Sequence, residues 1–398
     1  MALFDRGRVV VIGGGIVGPA TALALHKAGF AAEVYEARGP EESEVGAWLT
    51  VAPNGIAALR AIDVADAFAT RAIPTDGITF RNGHGKVIGT IDQLRAGENM
   101  ALAAKRSTLH DVLRTELAAR GIAISYQKRL ERIEETPEGV RAWFEDGDSA
   151  AADLLIACDG FRSRTRGLLF PNLPAPVFTG VLGCGGFAFP QPALPVTGRT
   201  EMIFGHKGFW GSLATPNGET WWFDSFPWPN EPKPGELAAR SDVDWLRLLR
   251  EVHAGDPAPV GPILASAAGP ITAWPMYDSP ALTTWSRGRV CLAGDAAHAM
   301  PPYAGQGASM ALEDAVTLAR CLRDMPAPEA AFAAFERLRR PRITAVLKEV
   351  ARNGGDRAPS SQIALKLRDA FMPLFLRLGQ RRMAEIVGAR IDWDQRVA

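Results

Sequence analysis

The sequence lacks an excess of charge of either sign. Its 398 residues contain 44 Lys and Arg against 44 Asp and Glu, so the formal net charge is zero at pH 7. A neutral chain creates no general field that would attract nucleic acid or an anionic membrane surface. We therefore expect no nucleic-acid partner, and any anionic ligand must be held by a local site.

Cysteine and histidine are also scarce and widely spaced. The four cysteines include no C-x-x-C pair, and the six histidines never occur three to five residues apart. These spacings exclude sequence-local zinc motifs, so we expect no metal site. We interpret the cysteines as buried, reduced residues of a cytoplasmic protein. They are Cys158, Cys184, Cys291 and Cys321.

Long apolar runs are missing as well. No window approaches the roughly 18 uninterrupted apolar residues that suggest a membrane helix. The apolar run from Val9 to Ile12 passes directly into glycines, so the sequence predicts neither a signal peptide nor a membrane span. A chain of this length forms a large core and typically divides into two domains, or into one large domain with a lobe.

A glycine-rich turn lies between the first strand-like and helix-like segments. Arg8 to Ile12 is rich in β-branched residues, and Ile16 to Ala28 repeats apolar residues at helical spacing. Between them, Gly13 to Gly18 forms a G-x-G-x-x-G. Its first glycine permits a tight turn, its second lets a pyrophosphate approach, and its third lets the helix lie close to the strand. A second strand ends at Glu36, where an acid can accept ribose hydroxyl bonds. The pattern predicts an adenine dinucleotide but does not separate FAD from NAD(P).

The segment from Gly294 to Gly307 is the most informative one. It joins a strand-like run, Arg289 to Ala293, to a helix-like run, Ala308 to Leu322, through paired prolines and a glycine nest. A glycine-rich turn at a helix N-terminus directs unpaired N–H groups and the positive end of the helix dipole at its occupant. It therefore favours phosphate or another delocalised anion. The alternative is a helix entry that needs glycine only to turn.

Two further segments carry groups suited to an anion. Asp159-Gly160 ends a buried strand-like run, and Ser163 and three arginines follow it. The group favours an anionic partner, although Asp-Gly can be a plain turn and the arginines a solvated face. Arg106 precedes a helix-like run for which we expect Ser107 to be the N-cap. Its guanidinium can reach a phosphate or a cofactor ring, or it can be a solvated charge at a helix end.

Aromatic residues are concentrated in the middle of the chain. Between about Phe178 and Thr272 there is no helical periodicity before Asp242 to Val252. The runs Phe209 to Leu213 and Trp221 to Phe226, joined through Pro216 to Gly218, predict a β-hairpin. The segment is therefore expected to form an inserted sheet.

Alternation along this hairpin leaves open which side chains face a cavity. The choices are Trp210 or its neighbours on one strand, and Trp221 with Phe223 or Trp222 with Phe226 on the other. For each aromatic, ordinary sheet core is the alternative. We take Trp210 and Trp222 as candidate substrate-side residues.

Taken in order, the three motifs resemble those of the single-component, FAD-dependent class A flavoprotein monooxygenases. That family includes the para-hydroxybenzoate hydroxylase-like enzymes and the tetracycline-modifying monooxygenases, to which the motifs are most similar. The resemblance runs from about Arg8 to Arg342 and is specific for the family but not for the substrate. The motifs are Gly13-x-Gly15-x-x-Gly18, Asp159-Gly160-x-x-Ser163-x-x-Arg166, and Gly294-Asp295 with Pro302 and Gly305-Gln306-Gly307.

The resemblance implies where FAD is held. The first motif and Glu36 would bind the ADP half, Leu130 would meet the adenine through its backbone, and Asp295 would bind the ribityl chain or phosphate. Pro302 and Tyr303 would border the substrate. The family pattern is broken at Ser309, where many relatives carry Asn. The implied cofactor-binding residues are Gly13, Gly15, Ile16, Val17, Gly18, Glu36, Ala37, Arg38, Gly46, Ala47, Arg106, Leu130, Asp159, Gly160, Gly294, Asp295, Pro302, Gly305, Gln306, Gly307 and Ala308.

The resemblance also implies the architecture. We expect an α/β fold with a Rossmann-type FAD-binding domain of the glutathione reductase-like kind, an inserted mixed β-sheet substrate domain and a C-terminal helix. The FAD-binding domain would comprise residues 1–75, 101–177 and 275–360. The substrate domain would comprise residues 76–100 and 178–274, and residues 361–398 would form a helical tail.

The implied activity is monooxygenation. NAD(P)H would reduce FAD, O2 would form a C4a-hydroperoxyflavin, and one oxygen atom would pass to an aromatic or polycyclic hydrophobic small molecule. We expect a monomer or weak homodimer. Two alternatives stay open, namely an FAD-dependent reductase or dehydrogenase that does not use O2, and an FAD-binding regulatory protein. A flavin halogenase is disfavoured because its W-x-W-x-I-P signature is missing.

Overall fold

The structure is a computed structural model that describes residues 7–40, 48–92, 95–190, 194–300, 305–352 and 384–397. Its strands, in chain order, are β1 (Arg8–Ile12), β2 (Ala31–Tyr35), β3 (Trp48–Val51), β4 (Ile73–Pro74), β5 (Gly77–Asn82), β6 (Val87–Asp92), β7 (Arg95–Ala96), β8 (Asn99–Met100), β9 (Leu102–Lys105), β10 (Ile124–Ser125), β11 (Leu130–Glu135), β12 (Val140–Phe144), β13 (Ser149–Ala152), β14 (Leu154–Ala157), β15 (Val177–Ala188), β16 (Arg199–Phe204), β17 (Phe209–Ala214), β18 (Thr220–Pro227), β19 (Ala267–Asp278), β20 (Ser286–Arg287) and β21 (Val290–Leu292).

The helices are α1 (Val17–Lys27), α2 (Pro53–Ala61), α3 (Ala65–Ala69), α4 (Arg106–Ala119), α5 (Arg164–Leu169), α6 (Asp242–Val252), α7 (Val260–Ala265), α8 (Asp295–His298), α9 (Gly307–Asp324) and α10 (Pro328–Arg352). A helical turn at residues 384–387 is the described helical part of the predicted tail, and residues 361–383 lie outside the described ranges.

A six-stranded sheet in the order β10-β2-β1-β14-β21-β20 forms the centre of the first layer. Its first five strands are mutually parallel, and β20 pairs antiparallel with β21. The strands β1, β14 and β21 are short runs of Val, Ile, Leu, Ala and Cys, which suits strands covered on both faces. All four cysteines are free and buried, as predicted. The parallel sheet with covering helices confirms the predicted α/β fold class.

Helices α1 and α9 lie side by side against this sheet, and α10 packs on α9. Helix α1 is buried from Gly18 to Leu25, which its run of small and apolar residues allows. In α4 the structure differs from the sequence prediction, because the helix begins at Arg106 with Lys105 as N-cap and no side-chain capping bond. Ser107 therefore lies inside the first turn rather than before it.

A seven-stranded sheet in the order β19-β15-β18-β17-β16-β5-β6 forms the second layer. Strands β16 and β5 are parallel while the other neighbours are antiparallel, so the sheet is mixed, as predicted. The hairpin of β17 and β18 and the helix α6 also occur where the sequence predicts them. The domain limits drawn from the sequence stay a prediction.

Each layer has its own hydrophobic core, and a small third core joins them. The first core lies between the parallel sheet and its helices, and the second lies between the seven-stranded sheet and helices α6 and α7. The third contains Trp48 and Ala103 from the first layer with Leu213 and Trp221 from the second. The layers therefore meet where β3 and β9 face the hairpin.

Candidate functional site

The carboxyl ends of four neighbouring parallel strands form a crevice. Strands β2, β1, β14 and β21 lie in this order, and each is followed within two residues by a segment that the sequence singles out. Glu36 follows β2, Gly13 follows β1, the Asp159-Gly160 pair follows β14, and Gly294 follows β21. In open α/β sheets, ligands bind outside the carboxyl ends of the strands.

The first glycine turn combines close packing with open space. Gly13 has φ +106°, and a Cβ there would lie 2.4 Å from the carbonyl oxygen of Cys158. A Cβ on Gly18 would lie 1.8 Å from the carbonyl oxygen of Gly13, so only glycine lets α1 approach β1 this closely. At Gly15, by contrast, no atom lies within 4 Å of an added Cβ. Within this turn, the space beside Gly15 is available to a ligand.

Glu36 is held at the edge of this turn. Its Oε2 accepts the N–H of Gly14 at 2.6 Å, and its Oε1 accepts the N–H of Arg38 at 2.9 Å. Its carbonyl oxygen accepts the N–H of Lys128 at 2.8 Å, two residues before the buried Leu130 at the start of β11. The structure thus brings Leu130 to the same end of the crevice as Glu36, although they are far apart in sequence.

The turn after β21 contacts the first glycine turn. Gly294 has φ +60°, and a Cβ there would meet the Val17 side chain at 3.0 Å. The carboxyl group of Asp295 comes next. Burial raises the pKa of Asp295 and outweighs the charges of His298 and Arg106, which lower it. No side-chain hydrogen bond of Asp295 is found within the described ranges. A half-buried carboxyl without a hydrogen-bond partner suits a ligand with hydrogen-bond donors such as hydroxyl groups.

The segment after β14 is tied to the same turn. The Asp159 Oδ2 accepts both the N–H and the hydroxyl of Thr165, at 3.0 and 2.9 Å. Its Oδ1 is buried with no hydrogen-bond partner in the described part of the chain. Arg166, buried on α5, donates to the carbonyl oxygens of Asp295, Ala296 and Phe161. The two acidic motifs are therefore joined through Arg166.

The glycine nest lies at the N-terminus of α9. Gly305 has φ +59°, and an added Cβ would meet no atom within 4 Å at Gly305 or Gly307. The buried Gln306 accepts a hydrogen bond from the Asn54 amide at 3.2 Å. Ser309, where the family pattern is broken, still accepts a hydrogen bond, from the N–H of Ala52 at 3.0 Å. This bond joins α9 to the start of α2.

Some predicted site residues lie outside the described ranges. They are Gly46, Ala47, Pro302 and Tyr303. Of the other implied cofactor-binding residues, Ile16 is buried at the N-cap of α1, Ala37 and Arg38 follow Glu36, and Ala308 lies in the first turn of α9.

Half-buried aromatic side chains line one face of the seven-stranded sheet. We call this the front face and define it by Phe80, Phe204, Phe209 and Phe223, from β5, β16, β17 and β18. Successive ring centroids are 6.2, 5.1 and 6.1 Å apart, and Phe223 lies 6.0 Å from Trp48. The rings form a continuous row that ends on the first layer at Trp48.

Trp48 connects this row to the crevice. It pairs across strands with Lys105, the residue directly before Arg106, whose charge acts on Asp295. The Lys105 Nζ lies 2.9 Å from the Glu219 carboxylate and 4.4 Å from the centroid of Phe187. Sequence reasoning did not find Trp48, Lys105 or Glu219. The sequence did contain one signal for the front face, because the alternation along β18 places Phe223 on the same side of the sheet as Trp221.

Trp210 and Trp222 lie on the opposite side of the sheet, which we call the back face. Both are fully buried, and they stack on each other with centroids 5.1 Å apart. They pack in the second core with Trp245 and Leu249 of α6. This corrects the expectation that they are substrate-side residues, because α6 covers the face to which they belong.

A group of ionisable residues also lies behind the sheet, with His253 and Asp224 buried and His206 exposed. His253 contacts Asp224 at 2.9 Å and Asp256 at 2.8 Å, and Asp256 contacts His206 at 2.7 Å. Burial opposes the charged form of His253, but bonds and charges from both carboxylates outweigh it and raise its pKa to about 9. These residues tie α6 and the following loop to the sheet on the side away from the front face.

The geometry of the crevice fits FAD. It offers open space beside Gly15, a buried and unpartnered oxygen on Asp159, a half-buried carboxyl on Asp295 and a glycine nest at the N-terminus of an 18-residue helix. Within the described ranges, no helix has both the length and the apolarity needed to cross a bilayer. No cluster of three or more metal-ligating side chains was found among the described residues either.

Comparison with known proteins gives the family. Residues 6–350 match the model of the FAD binding domain family. The chain is 30% identical to the FAD-dependent urate hydroxylase of Klebsiella pneumoniae, with 84% of this chain and 86% of the relative covered. It is also 30% identical to the 3-amino-4-hydroxybenzoate 2-monooxygenase of Streptomyces cremeus, with 88% of each covered.

A solved structure agrees with these matches. The crystal structure of Klebsiella pneumoniae HpxO complexed with FAD and uric acid superposes with a TM-score of 0.82 at 26% identity, covering 96% of this chain and 95% of that chain. The chain therefore belongs to the FAD binding domain family, as one of its class A FAD-dependent monooxygenases.

Proposed function

We propose that the protein uses NAD(P)H and O2 to insert one oxygen atom into an aromatic or polycyclic hydrophobic small molecule that lies on the front face. The observation that carries this proposal is the continuous row of rings from Phe80 to Trp48, which ends beside the crevice proposed for FAD. Half-buried aromatic rings favour a flat, apolar ligand because offset and edge-on ring contacts add to the gain from burial.

We further propose that FAD occupies the crevice. Its pyrophosphate would lie beside Gly15, its ribose hydroxyls would donate to the Glu36 carboxylate, and its ribityl chain would reach the Asp295 carboxyl. The open space at Gly15, the buried Oδ1 of Asp159 and the Asp295 carboxyl support this assignment. FAD, once reduced by NAD(P)H, supplies the electrons and the ring position at which O2 is activated, and this chemistry belongs to the cofactor.

The chain contributes charge stabilisation. Helix α9 begins at Gly307. Neither Gly305 nor Gly307 has a side chain that would cover the backbone N–H groups at this helix end. A negative charge held at such a helix end is stabilised by about 0.3 to 2 kcal/mol. Because reduction places negative charge on the flavin ring, the nest would favour the reduced cofactor.

The chain also contributes exclusion of water. The third core, with Trp48, Ala103, Leu213 and Trp221, closes the junction between the two layers with apolar side chains. The ion pair of Lys105 and Glu219 bridges the same junction. Exclusion of water from the site prevents side reactions of the reduced cofactor and strengthens the charge interactions within the site.

The relatives support an aromatic substrate. Urate and 3-amino-4-hydroxybenzoate, named for the two relatives, are both planar rings. The front face fits this chemistry, since the side chains that define it are phenylalanines.

An oxygen-labelling experiment tests the proposal. Purified protein with FAD is given NADH or NADPH, a panel of phenols, indoles and polycyclic polyketides, and isotopically labelled O2. We expect one substrate class to stimulate NAD(P)H consumption and to gain one labelled oxygen atom by mass. Substrate reduction or dehydrogenation without label would favour the reductase alternative.

A substitution tests the cofactor site. Asp295→Ala should be purified without FAD, and its apoprotein should be at least as stable as the wild-type apoprotein because a half-buried carboxyl without a hydrogen-bond partner is removed. FAD content is measured by absorbance and apoprotein stability by thermal unfolding. Full FAD occupancy in the variant would refute the assignment of Asp295.

A further inference from the structure

Arg339 of α10 is a buried arginine that contacts two consecutive acids of α9. Its side chain is 3% exposed. Its Nε donates to Asp314 at 2.6 Å, its Nη1 donates to Glu313, and its Nη2 donates to the carbonyl oxygen of Met310 at 3.0 Å. A planar guanidinium presents five donors in a rigid fork, so it can bond both carboxylates and the carbonyl oxygen in one fixed geometry, which the flexible ammonium of a lysine does not impose.

Asp314 extends this contact to the turn after β21. Its carboxylate accepts the N–H of Gly294 at 2.9 Å and contacts the His298 Nε2 at 2.5 Å. Gly294 and His298 flank Asp295 on either side along the chain. Burial opposes ionisation of Asp314, but the charges of His298 and Arg339 outweigh it and lower its pKa to about 2. Asp314 is therefore a fixed anion that holds both ends of this turn.

Glu313 extends the contact to the glycine nest. Its Oε1 accepts a hydrogen bond from the Asn54 amide at 2.7 Å, and the same amide nitrogen donates to the Gln306 Oε1 at 3.2 Å. Glu313, Asn54 and Gln306 are all buried. Arg342 also contacts Glu313, with both distances 2.6 Å.

Arg339 is thus the point where two branches meet. One branch runs through Asp314 to Gly294 and His298, and the other runs through Glu313 and Asn54 to Gln306. The two turns at the branch ends are those proposed for the ribityl chain and for the flavin ring. Residues 301–304, which connect the two turns in sequence, are not among the described residues.

We propose that Arg339 is a positioning residue for FAD, which sets the relation of the Gly294-Asp295 turn to the Gly305-Gly307 turn. The proposal rests on the FAD site assigned above. With lysine in its place the positive charge remains, but the fork that bonds Asp314, Glu313 and the Met310 carbonyl oxygen in one geometry is lost, while Arg342 still holds Glu313. Asp314 then loses its partner from α10, and the turn it holds moves relative to the nest. Arg339 acts through these carboxylates and is not itself a catalytic residue.

The test compares Arg339→Lys with Arg340→Met. Arg340 is the next residue of α10, but its hydrogen bonds go to Glu336, Leu282 and Thr283, and its only link to either turn is a ring contact through Trp285 to His298 among the described residues. The FAD dissociation constant is measured by titrating apoprotein with FAD and following fluorescence quenching. Apoprotein thermal stability and the midpoint potential of the bound flavin are measured in parallel.

For Arg339→Lys we expect a folded apoprotein, an FAD dissociation constant raised at least tenfold and a more negative flavin potential. The more negative potential is expected because a displaced nest stabilises the reduced ring less. For Arg340→Met we expect lower thermal stability, with an FAD dissociation constant within twofold of wild type. Wild-type affinity and potential in Arg339→Lys would overturn the proposal, and so would equal weakening in Arg340→Met.

A second variant addresses a failure of Arg339→Lys to fold. Asn54→Ala cuts only the branch to Gln306 and leaves the ion pairs of α9 and α10 intact. We expect it to raise the FAD dissociation constant about threefold and to shift the flavin absorption bands. An unchanged dissociation constant and spectrum would overturn the proposal.

These measurements need no substrate and are independent of turnover. Failure of the proposed oxygenation would therefore leave them unaffected. Full FAD occupancy in Asp295→Ala would instead remove the site on which the positioning role depends.

Discussion

The ring of Phe223 lies over Gly211 of the neighbouring strand, so closely that a Cβ at position 211 would come within 2.3 Å of it. The two residues pair directly across β17 and β18. Because Gly211 has no side chain, the Phe223 ring can occupy its position in the row from Phe80 to Trp48. Since the row is the proposed substrate surface, this one glycine controls its shape.

Gly211→Ala should disturb the front face while the fold persists. Overpacking of this kind costs about 1–3 kcal/mol, and the displaced Phe223 should raise the KM for substrate more than it lowers kcat. Gly261→Ala in α7 is the matched control, because an added Cβ there meets no atom within 4 Å. Steady-state kinetics and thermal unfolding of both variants check this. An unchanged KM in Gly211→Ala would argue against substrate contact at Phe223.

Trp222 and Phe223 are consecutive but face opposite sides of the sheet, so their substitutions should have different effects. Trp222→Ala removes a fully buried ring that stacks on Trp210 and should cost about 3–5 kcal/mol of unfolding free energy. Phe223→Ala removes a half-buried ring and should cost about 1–2 kcal/mol, with a clear rise in KM. Urea unfolding and KM for the best substrate measure the two effects. Equal changes in KM would contradict the assignment of faces.

The sequence is sufficient for the local parts of the fold. The strand, glycine turn and helix from Arg8 to Lys27, the hairpin of β17 and β18, and α6 follow from periodicity and turn residues within short windows. Which face of the hairpin is covered depends on α6, and the alternation is identical in either case. For this reason Trp210 and Trp222 are misplaced by sequence reasoning.

The contacts that join the two proposed FAD turns are not predictable from sequence. Asn54 and Gln306 are 252 residues apart, and the acids Glu313 and Asp314 look like an ordinary exposed pair in the sequence. Charged residues are rarely fully buried, so nothing local distinguishes Arg339 from its neighbours Arg337 and Arg340. Only the packing of α10 on α9 brings these residues together.

Two glycines of the first turn should respond differently to the same substitution. Gly15→Ala meets open space, so the apoprotein should unfold at the wild-type temperature while FAD binding is lost or much weaker. Gly18→Ala places a Cβ 1.8 Å from the Gly13 carbonyl oxygen and should destabilise the apoprotein itself, by about 1–3 kcal/mol or more. Thermal unfolding of apoprotein and FAD titration separate the cases. Wild-type FAD affinity in Gly15→Ala would contradict the placement of the pyrophosphate.

His253 should make stability depend on pH in the alkaline range. Its pKa rises from 6.5 to about 9 in the folded protein because Asp224 and Asp256 outweigh the effect of burial. A group whose pKa is raised by folding contributes its full stabilisation below the unfolded pKa. That contribution is then lost as the pH rises through the folded pKa. We therefore expect the free energy of unfolding to fall between about pH 6.5 and about pH 9.

His253→Gln supplies the comparison, because glutamine keeps a donor for one carboxylate but does not titrate. Urea unfolding of both proteins across this range gives the difference due to His253, since other titrating groups are common to both. The stability difference should be largest at the acid end of the range and shrink toward the alkaline end. A constant difference would mean that His253 is neutral in the folded protein throughout this pH range.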